Sequence, residues 1–177
     1  TYHVSAQAES SHNHTIPCQG TPSTSILLNH LHTHLPKHNL EYRIFVVEQA
    51  HPNIFNRGAL INLGYLVASK NYAFDCVMPH DVDLLLEDDR IMYACYKMPR
   101  HMSGHNDKHL YKRPPKNHFG GLTAISKSVF ERANGYPNSY WGWGGEDDDM
   151  SARLQALGLT IFRHPLNVEH FTLLKHE

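Results

Sequence analysis

The sequence predicts an α/β fold, one domain with a sheet that is at least partly parallel. Three observations carry this. Tyr42 to Val47 is a short run of β-branched and aromatic residues, suited to a buried strand. Between Phe55 and Leu66 the apolar residues recur every three to four positions, the period of a helix. Phe74-Asp75-Cys76-Val77-Met78 is a second buried strand and runs straight into His80-Asp81-Val82-Asp83. Strand, helix and strand in that order make a βαβ unit, whose parallel strands present ligand sites at their carboxyl ends.

Composition agrees with one folded unit. A chain of 177 residues is about one domain, and at that size it buries roughly 70% of its unfolded surface. With 41% apolar and 19% charged residues it has a globular balance. Sixteen Lys and Arg against seventeen Asp and Glu leave a net charge of -1. There is no basic field to hold a phosphate backbone, so nucleic acid is not an expected partner. No apolar run reaches the roughly 18 residues of a membrane helix, and the polar opening is not expected to act as a signal peptide.

Element by element, Thr1 to Thr24 mixes Ser, Thr, His, Gln, Pro and Gly and is expected to be a loop or disordered lead-in, with the domain proper over residues 25–177. The lead-in holds Cys18 and the sequon Asn13-His14-Thr15. Ile26, Leu27, Leu28, Leu31 and Leu35 then predict an amphipathic helix that stops before Pro36. On it only His30 and His34 share a face, and His30, His32 and His34 are expected at the surface rather than around a metal. Pro99 to Asn117, polar, basic and broken by Pro114-Pro115, is expected to be an excursion. A glycine-led strand (Phe119 to Ser126), a short helix (Lys127 to Ala133), a helix (Glu146 to Leu157) closed by Gly158, and a strand (Leu159 to Phe162) complete the chain.

Two clusters carry chemistry. Asp81-Val82-Asp83 at a strand end puts two carboxylates on one side of the backbone with an apolar residue between them, an arrangement that suits a hard divalent cation carrying a diphosphate. The second cluster is Tyr140-Trp141-Gly142-Trp143-Gly144-Gly145-Glu146-Asp147-Asp148-Asp149. Its tryptophans can stack on a sugar ring while glycine lets backbone approach a ligand. Four carboxylates then open a helix. One or two suffice to complement the helix dipole, and the mutual repulsion of the rest suits one of them to general-base work.

Taken together, Phe55-Asn56-Arg57-x-Ala59-Leu60-x-Asn62-x-Gly64, His80-Asp81-Val82-Asp83-Leu84, Phe119-Gly120-Gly121, Asn134-Gly135-Tyr136-Pro137-Asn138 and Trp141 to Asp149 resemble the β-1,4-galactosyltransferase family, glycosyltransferase family 7, in order and spacing from about Leu27 to His176. The resemblance implies a GT-A-like, Rossmann-related mixed sheet flanked by helices, truncated at both ends: a partial catalytic domain. It implies an inverting, Mn²⁺-dependent enzyme, with Mg²⁺ as a substitute, moving galactose from UDP-galactose to the 4-hydroxyl of a terminal N-acetylglucosamine, glucose or xylose. The full-length protein would be a type II membrane protein of the Golgi lumen, attached only through an anchor absent from this chain.

Residue by residue, the resemblance makes Asp83 and His176 metal ligands, with Leu173 standing where relatives carry a methionine ligand. Phe55, Arg57, Asp81, Val82, Lys108, Trp143, Gly144 and Glu146 would bind the donor, and His118, Gly121, Asp147 and Asp148 the acceptor. Asp147 would be the catalytic base and Trp143 would sit on a small moving loop. Cys76 and Cys95 match a disulfide pair of relatives, whereas Cys18 has no counterpart. His118 replaces the tyrosine usual before Phe-Gly-Gly in galactosyltransferases and the smaller aliphatic residue associated with N-acetylgalactosamine donors, and galactose is the expected donor. The relatives' opening strand, ending Pro-Phe-Arg-x-Arg, has no match in Thr1 to Thr24, and their acceptor-site lid has none before Glu177. The competing readings are an N-acetylgalactosaminyltransferase of this family, an inactive fragment that binds UDP-sugar, and a metallohydrolase using the same acids.

Overall fold

The computed structural model describes residues 2–7, 22–50, 54–112, 114–165 and 167–175. Three parallel strands make up half of its main sheet: β1 (Tyr2–Gln7) lies between β2 (Tyr42–Val47) and β3 (Cys76–Asp81), pairing with both along its length. Helix α1 (Pro22–His34) connects β1 to β2, and α2 (Arg57–Asn71) connects β2 to β3. The predicted βαβ unit is therefore present, with a further strand inserted between its two strands. Beyond β3 comes β7 (Thr123–Ser126), antiparallel both to β3 and to its other neighbour β5 (Arg100–His101), and β8 (Phe162–Arg163) closes the sheet parallel to β5. A small second sheet joins β4 (Leu84–Leu86), β9 (His170–Leu173) and β6 (His105–Asn106). Two short helices, α3 (Lys127–Arg132) and α4 (Glu146–Ala156), complete the set.

The expected lead-in over residues 1–24 is corrected at both ends. Tyr2–Gln7 is a strand at the sheet's interior, and α1 starts at Pro22. Without β1 the facing edges of β2 and β3 would carry unpaired N–H and C=O groups in the middle of a sheet, a cost that backbone pairing removes whatever the side chains are. The Asn13 sequon and Cys18 lie outside the described residues.

The expected excursion over 99–117 is also corrected, because β5 and β6 weave it into both sheets. Arg100, His101, Ser103 and His105 are buried there, each bonded to at least one backbone carbonyl. Arg100 is fully buried, donates from its guanidinium to the Met92 and Ala94 carbonyls at 2.7 and 3.0 Å, and lies over the Tyr96 ring. Likewise His34 is buried, not at the surface, with its ring nitrogens 3.0 Å from Asp89 Oδ1 and 3.1 Å from the Ile91 carbonyl.

Strand alternation divides the core. Cys76, Met78 and Ala124 face the cluster under α1, with Leu27, Leu31, Tyr93 and Phe171, while Val77 and Ile125 face the cluster that α2, α3 and α4 cover, with Ile61, Phe130, Met150 and Leu154. Cys76 is bonded to Cys95 as expected, with Cα atoms 6.0 Å apart, and the bridge pins β3 to the 88–98 segment. Closing a loop of 19 residues is worth about 3 kcal/mol in the chain-entropy account. Cys76→Ser with Cys95→Ser is expected to lower Tm by about 6–12 °C; a thermal melt that does not move would leave the bridge without a stabilising role.

Candidate active site

The predicted chemistry collects at the carboxyl end of β3. A cleft of about 750 Å³ opens there, between the turn after β3, the start of α2, the loop before β7 and the start of α4. Its volume is that of a small-molecule site.

β3 ends on Asp81, and Val82 and Asp83 turn the chain into β4. Val82 is buried in the core, which leaves Asp81 and Asp83 facing the cleft on either side of it. His80 locks this turn from behind. It is buried, its Nδ1 lies 2.7 Å from the Asp81 carbonyl and its Nε2 2.9 Å from the Tyr93 hydroxyl. Because a carbonyl can only accept, Nδ1 carries the proton and Nε2 accepts from Tyr93. Burial pushes the His80 pKa down to about 4 and keeps the ring neutral.

Asp81 is held by the first residue of α2. Arg57 donates from Nε at 2.9 Å to Asp81 Oδ1 and from a terminal nitrogen at 3.3 Å to Glu146 Oε1, so it ties β3 to α4. Burial disfavours its charge, but Asp81 with Tyr136 and Glu146 outweighs that and holds the guanidinium above its ordinary range. The start of α2 is itself well anchored. Asn56 caps it by accepting from Ala59 N, and the Asn56 and Asn62 side chains bond the Tyr136–Asn138 segment. Those bonds are the physical content of the asparagines in the two motifs.

The four acids of α4 divide by their partners. Glu146 is taken by Arg57, and Asp149 by Arg153 at 2.7 Å and the Tyr140 hydroxyl at 3.2 Å. Asp147 and Asp148 remain to line the cleft. Asp147 Oδ1 accepts from the Asp148 N–H at 2.9 Å. Just before them Gly145 caps the helix at φ +97, where an added Cβ would strike the Tyr140 ring. Trp143, between glycines at φ +85 and +90, is fully exposed at the cleft edge.

Phe55, Arg57, Asp81, Val82, Asp83, Lys108, His118, Gly121, Trp143, Gly144, Glu146, Asp147 and Asp148, all predicted for the site, line this one cleft. His176 lies outside the described residues; the segment leading to it runs beside Asp83, because Leu174 N donates to the Asp83 carbonyl at 2.7 Å. Among the described residues no group of three or more His, Cys, Asp and Glu converges as a metal site. Asp83 is a hard oxygen donor inside the cleft, and Leu173 beside it offers none. One or two carboxylates completed by phosphate oxygens is a usual shell for a small divalent cation, so the residues present fit one.

Ser103, Asn106 and Gly120 also line the cleft and were not predicted. Ser103 Oγ donates to the Gly120 carbonyl at 3.1 Å and accepts from Leu122 N at 2.8 Å, fixing the loop under the site. Nothing local in the polar stretch around Ser103 marks it out.

Residues 14–96 match the N-terminal region of glycosyl transferase group 7, and residues 100–177 match the family described as the N-terminal domain of galactosyltransferase. The chain is 42% identical over 152 residues to β-1,4-galactosyltransferase 3 of Homo sapiens, covering 85% of this chain and 39% of that protein. It thus spans about two fifths of the length of the curated relatives it matches. The catalytic domain of Drosophila β1,4-galactosyltransferase 7 in complex with xylobiose superposes with a TM-score of 0.81 at 28% identity, over 99% of this chain and 71% of that one. A mutant of that enzyme, in complex with manganese, UDP-Gal and xylobiose, gives 0.77 at 25% identity, over 99% and 72%. The fold is therefore the GT-A-like α/β arrangement that the motifs implied.

Proposed function

The chain belongs to glycosyl transferase group 7, and on that premise we propose that it is a catalytic region of an inverting, metal-dependent galactosyltransferase. The donor is UDP-galactose and the acceptor the 4-hydroxyl of a terminal sugar, N-acetylglucosamine before glucose or xylose. One observation carries the reading: Asp83, suited to a cation and its diphosphate, and Asp147, whose second oxygen is turned to the cleft, line the same cleft.

The chemistry is a single displacement. Asp147 takes the proton of the acceptor hydroxyl as its oxygen bonds to C1 of the sugar; the bond from C1 to the diphosphate oxygen breaks on the opposite face, UDP leaves, and the anomeric centre inverts. A divalent cation at Asp83, with His176 as a second ligand, would neutralise the departing diphosphate. Arg57 holds Asp81 and Glu146 in place on the donor side, and Lys108 adds positive charge near the phosphates. Trp143 offers an aromatic face to the sugars from its glycine-flanked position. The Cys76–Cys95 bridge supports placing the domain in an oxidising compartment, the Golgi lumen. No helix among the described residues is long and apolar enough to cross a membrane.

Calorimetric titration of UDP into the full chain with and without Mn²⁺, followed by a transfer assay from UDP-galactose to N-acetylglucosamine, tests this. Mn²⁺-dependent UDP binding and release of UDP with a new β-1,4 product are expected. Binding without transfer to any of the three acceptors favours the inactive UDP-sugar binder, and absence of both overturns the proposal.

A further inference from the structure

We propose that His118 is a positioning residue for Asp147: its imidazole Nδ1–H orients the carboxylate that takes the acceptor's proton. The inference rests on the reading of Asp147 as the base. Asp147 has one oxygen already committed, Oδ1, which accepts from the Asp148 N–H at 2.9 Å. The other, Oδ2, faces His118 Nδ1 at 3.6 Å. That is longer than a hydrogen bond, but catalytic contacts in ligand-free sites are often long and tighten when substrate closes the site.

The approach between the two groups is built into the fold. Gly120 lies between them, and a Cβ there would collide with Asp147 Oδ2 and press on the His118 ring. Glycine therefore keeps open the space through which imidazole and carboxylate meet. The ring's own position is set from behind. Arg163 donates to the His118 carbonyl and, at 3.2 Å, to His101 Nδ1. The buried His101 in turn donates from Nε2 to the Gly120 carbonyl at 3.0 Å and meets the His118 ring edge-on at 5.2 Å. Burial, reinforced by Arg163, holds His101 well below its ordinary pKa, so this brace stays neutral. His118 itself keeps 39% of its side chain exposed, on the cleft side. A residue that only filled volume would not require a donor nitrogen aimed at a carboxylate, nor a glycine to let it through.

Two substitutions separate these roles. Asparagine places an amide N–H at the position of Nδ1 but is smaller than histidine; phenylalanine keeps the ring and loses the donor. In the full chain, His118→Phe is expected to lower kcat about tenfold, the rate worth of one ordinary hydrogen bond. His118→Asn is expected to keep a clearly larger share of kcat than His118→Phe, because it keeps the donor. The thermal melt should be unchanged in both. A space-filling role predicts the reverse order, with Phe tolerated and Asn impaired, and that order overturns the proposal, as does an equal kcat in all three proteins. If the wild type transfers no sugar, the function reading fails and this inference with it, whereas an active wild type with the reversed order removes the inference alone.

Discussion

Asp147→Asn is expected to reduce transfer by about 10² to 10⁴-fold, the usual worth of general-base assistance. Mn²⁺-dependent UDP affinity should stay within a factor of two or so of wild type. The asymmetry follows from where the four acids of α4 are spent. Glu146 and Asp149 are paired with Arg57 and Arg153, whereas Asp147 accepts a backbone N–H through one oxygen, has the His118 imidazole 3.6 Å from the other, and looks into the cleft. Asparagine keeps the acceptor of that backbone bond and nearly the same volume, so α4 keeps its start; what it loses is the ability to take a proton at the cleft face. Removing one first-turn charge costs at most about 1 kcal/mol of dipole interaction, too little to unfold the domain. The measurement is kcat with UDP-galactose and N-acetylglucosamine beside a UDP titration of the same preparation. Turnover near the wild-type rate would remove Asp147 as the base and shift the role to Asp148, the other first-turn acid facing the cleft.

What the sequence made legible is the chemistry that local spacing determines. An Asp-x-Asp at a strand end must put both carboxylates on one side, and Val82 is indeed buried between them. An acidic run at a helix start holds more carboxylates than the dipole needs, and here Glu146 and Asp149 pair with Arg57 and Arg153 while Asp147 and Asp148 line the cleft. The illegible parts depend on pairing between segments far apart in the chain. β1 carries a brief alternation, Tyr2, Val4 and Ala6 with His3, Ser5 and Gln7, but it is short and only weakly apolar, and its place between β2 and β3 is set by backbone pairing with strands far along the chain. Residues 99–117 look like surface because Arg100, His101 and His105 are polar, but their burial against backbone carbonyls is invisible to composition. Ser103 and Gly120 are missed for the same reason, since their contact joins β5's trailing loop to the segment before β7.

The second large effect is on stability and falls on Arg57. Its side chain is 12% exposed, against 9% for Glu146 and 35% for Asp81. Arg57→Met keeps the apolar stem but strands Glu146 as a nearly buried carboxylate without its cation. Removing one partner of a buried pair typically costs about 3–5 kcal/mol. Asp81 adds little to that, because a carboxylate one-third exposed recovers water and is screened; the lower end, about 3 kcal/mol, is the expected loss. At 2–4 °C per kcal/mol for a chain of this size, Tm should fall by about 6–12 °C. The double variant Arg57→Met with Glu146→Gln separates charge from shape. If the cost is the stranded carboxylate, neutralising it restores most of the lost Tm, since replacing both members of a buried pair is often close to neutral. If the double variant melts as low as Arg57→Met alone, the loss lies in the packing of the guanidinium against Tyr136 and the β3–α2 junction instead. UDP binding should stay weakened in the double variant even with Tm restored, because Arg57 also fixes Asp81 at the mouth of the cleft. Stability and ligand affinity would then separate at one residue, as expected of a cation placed where β3, α2 and α4 meet.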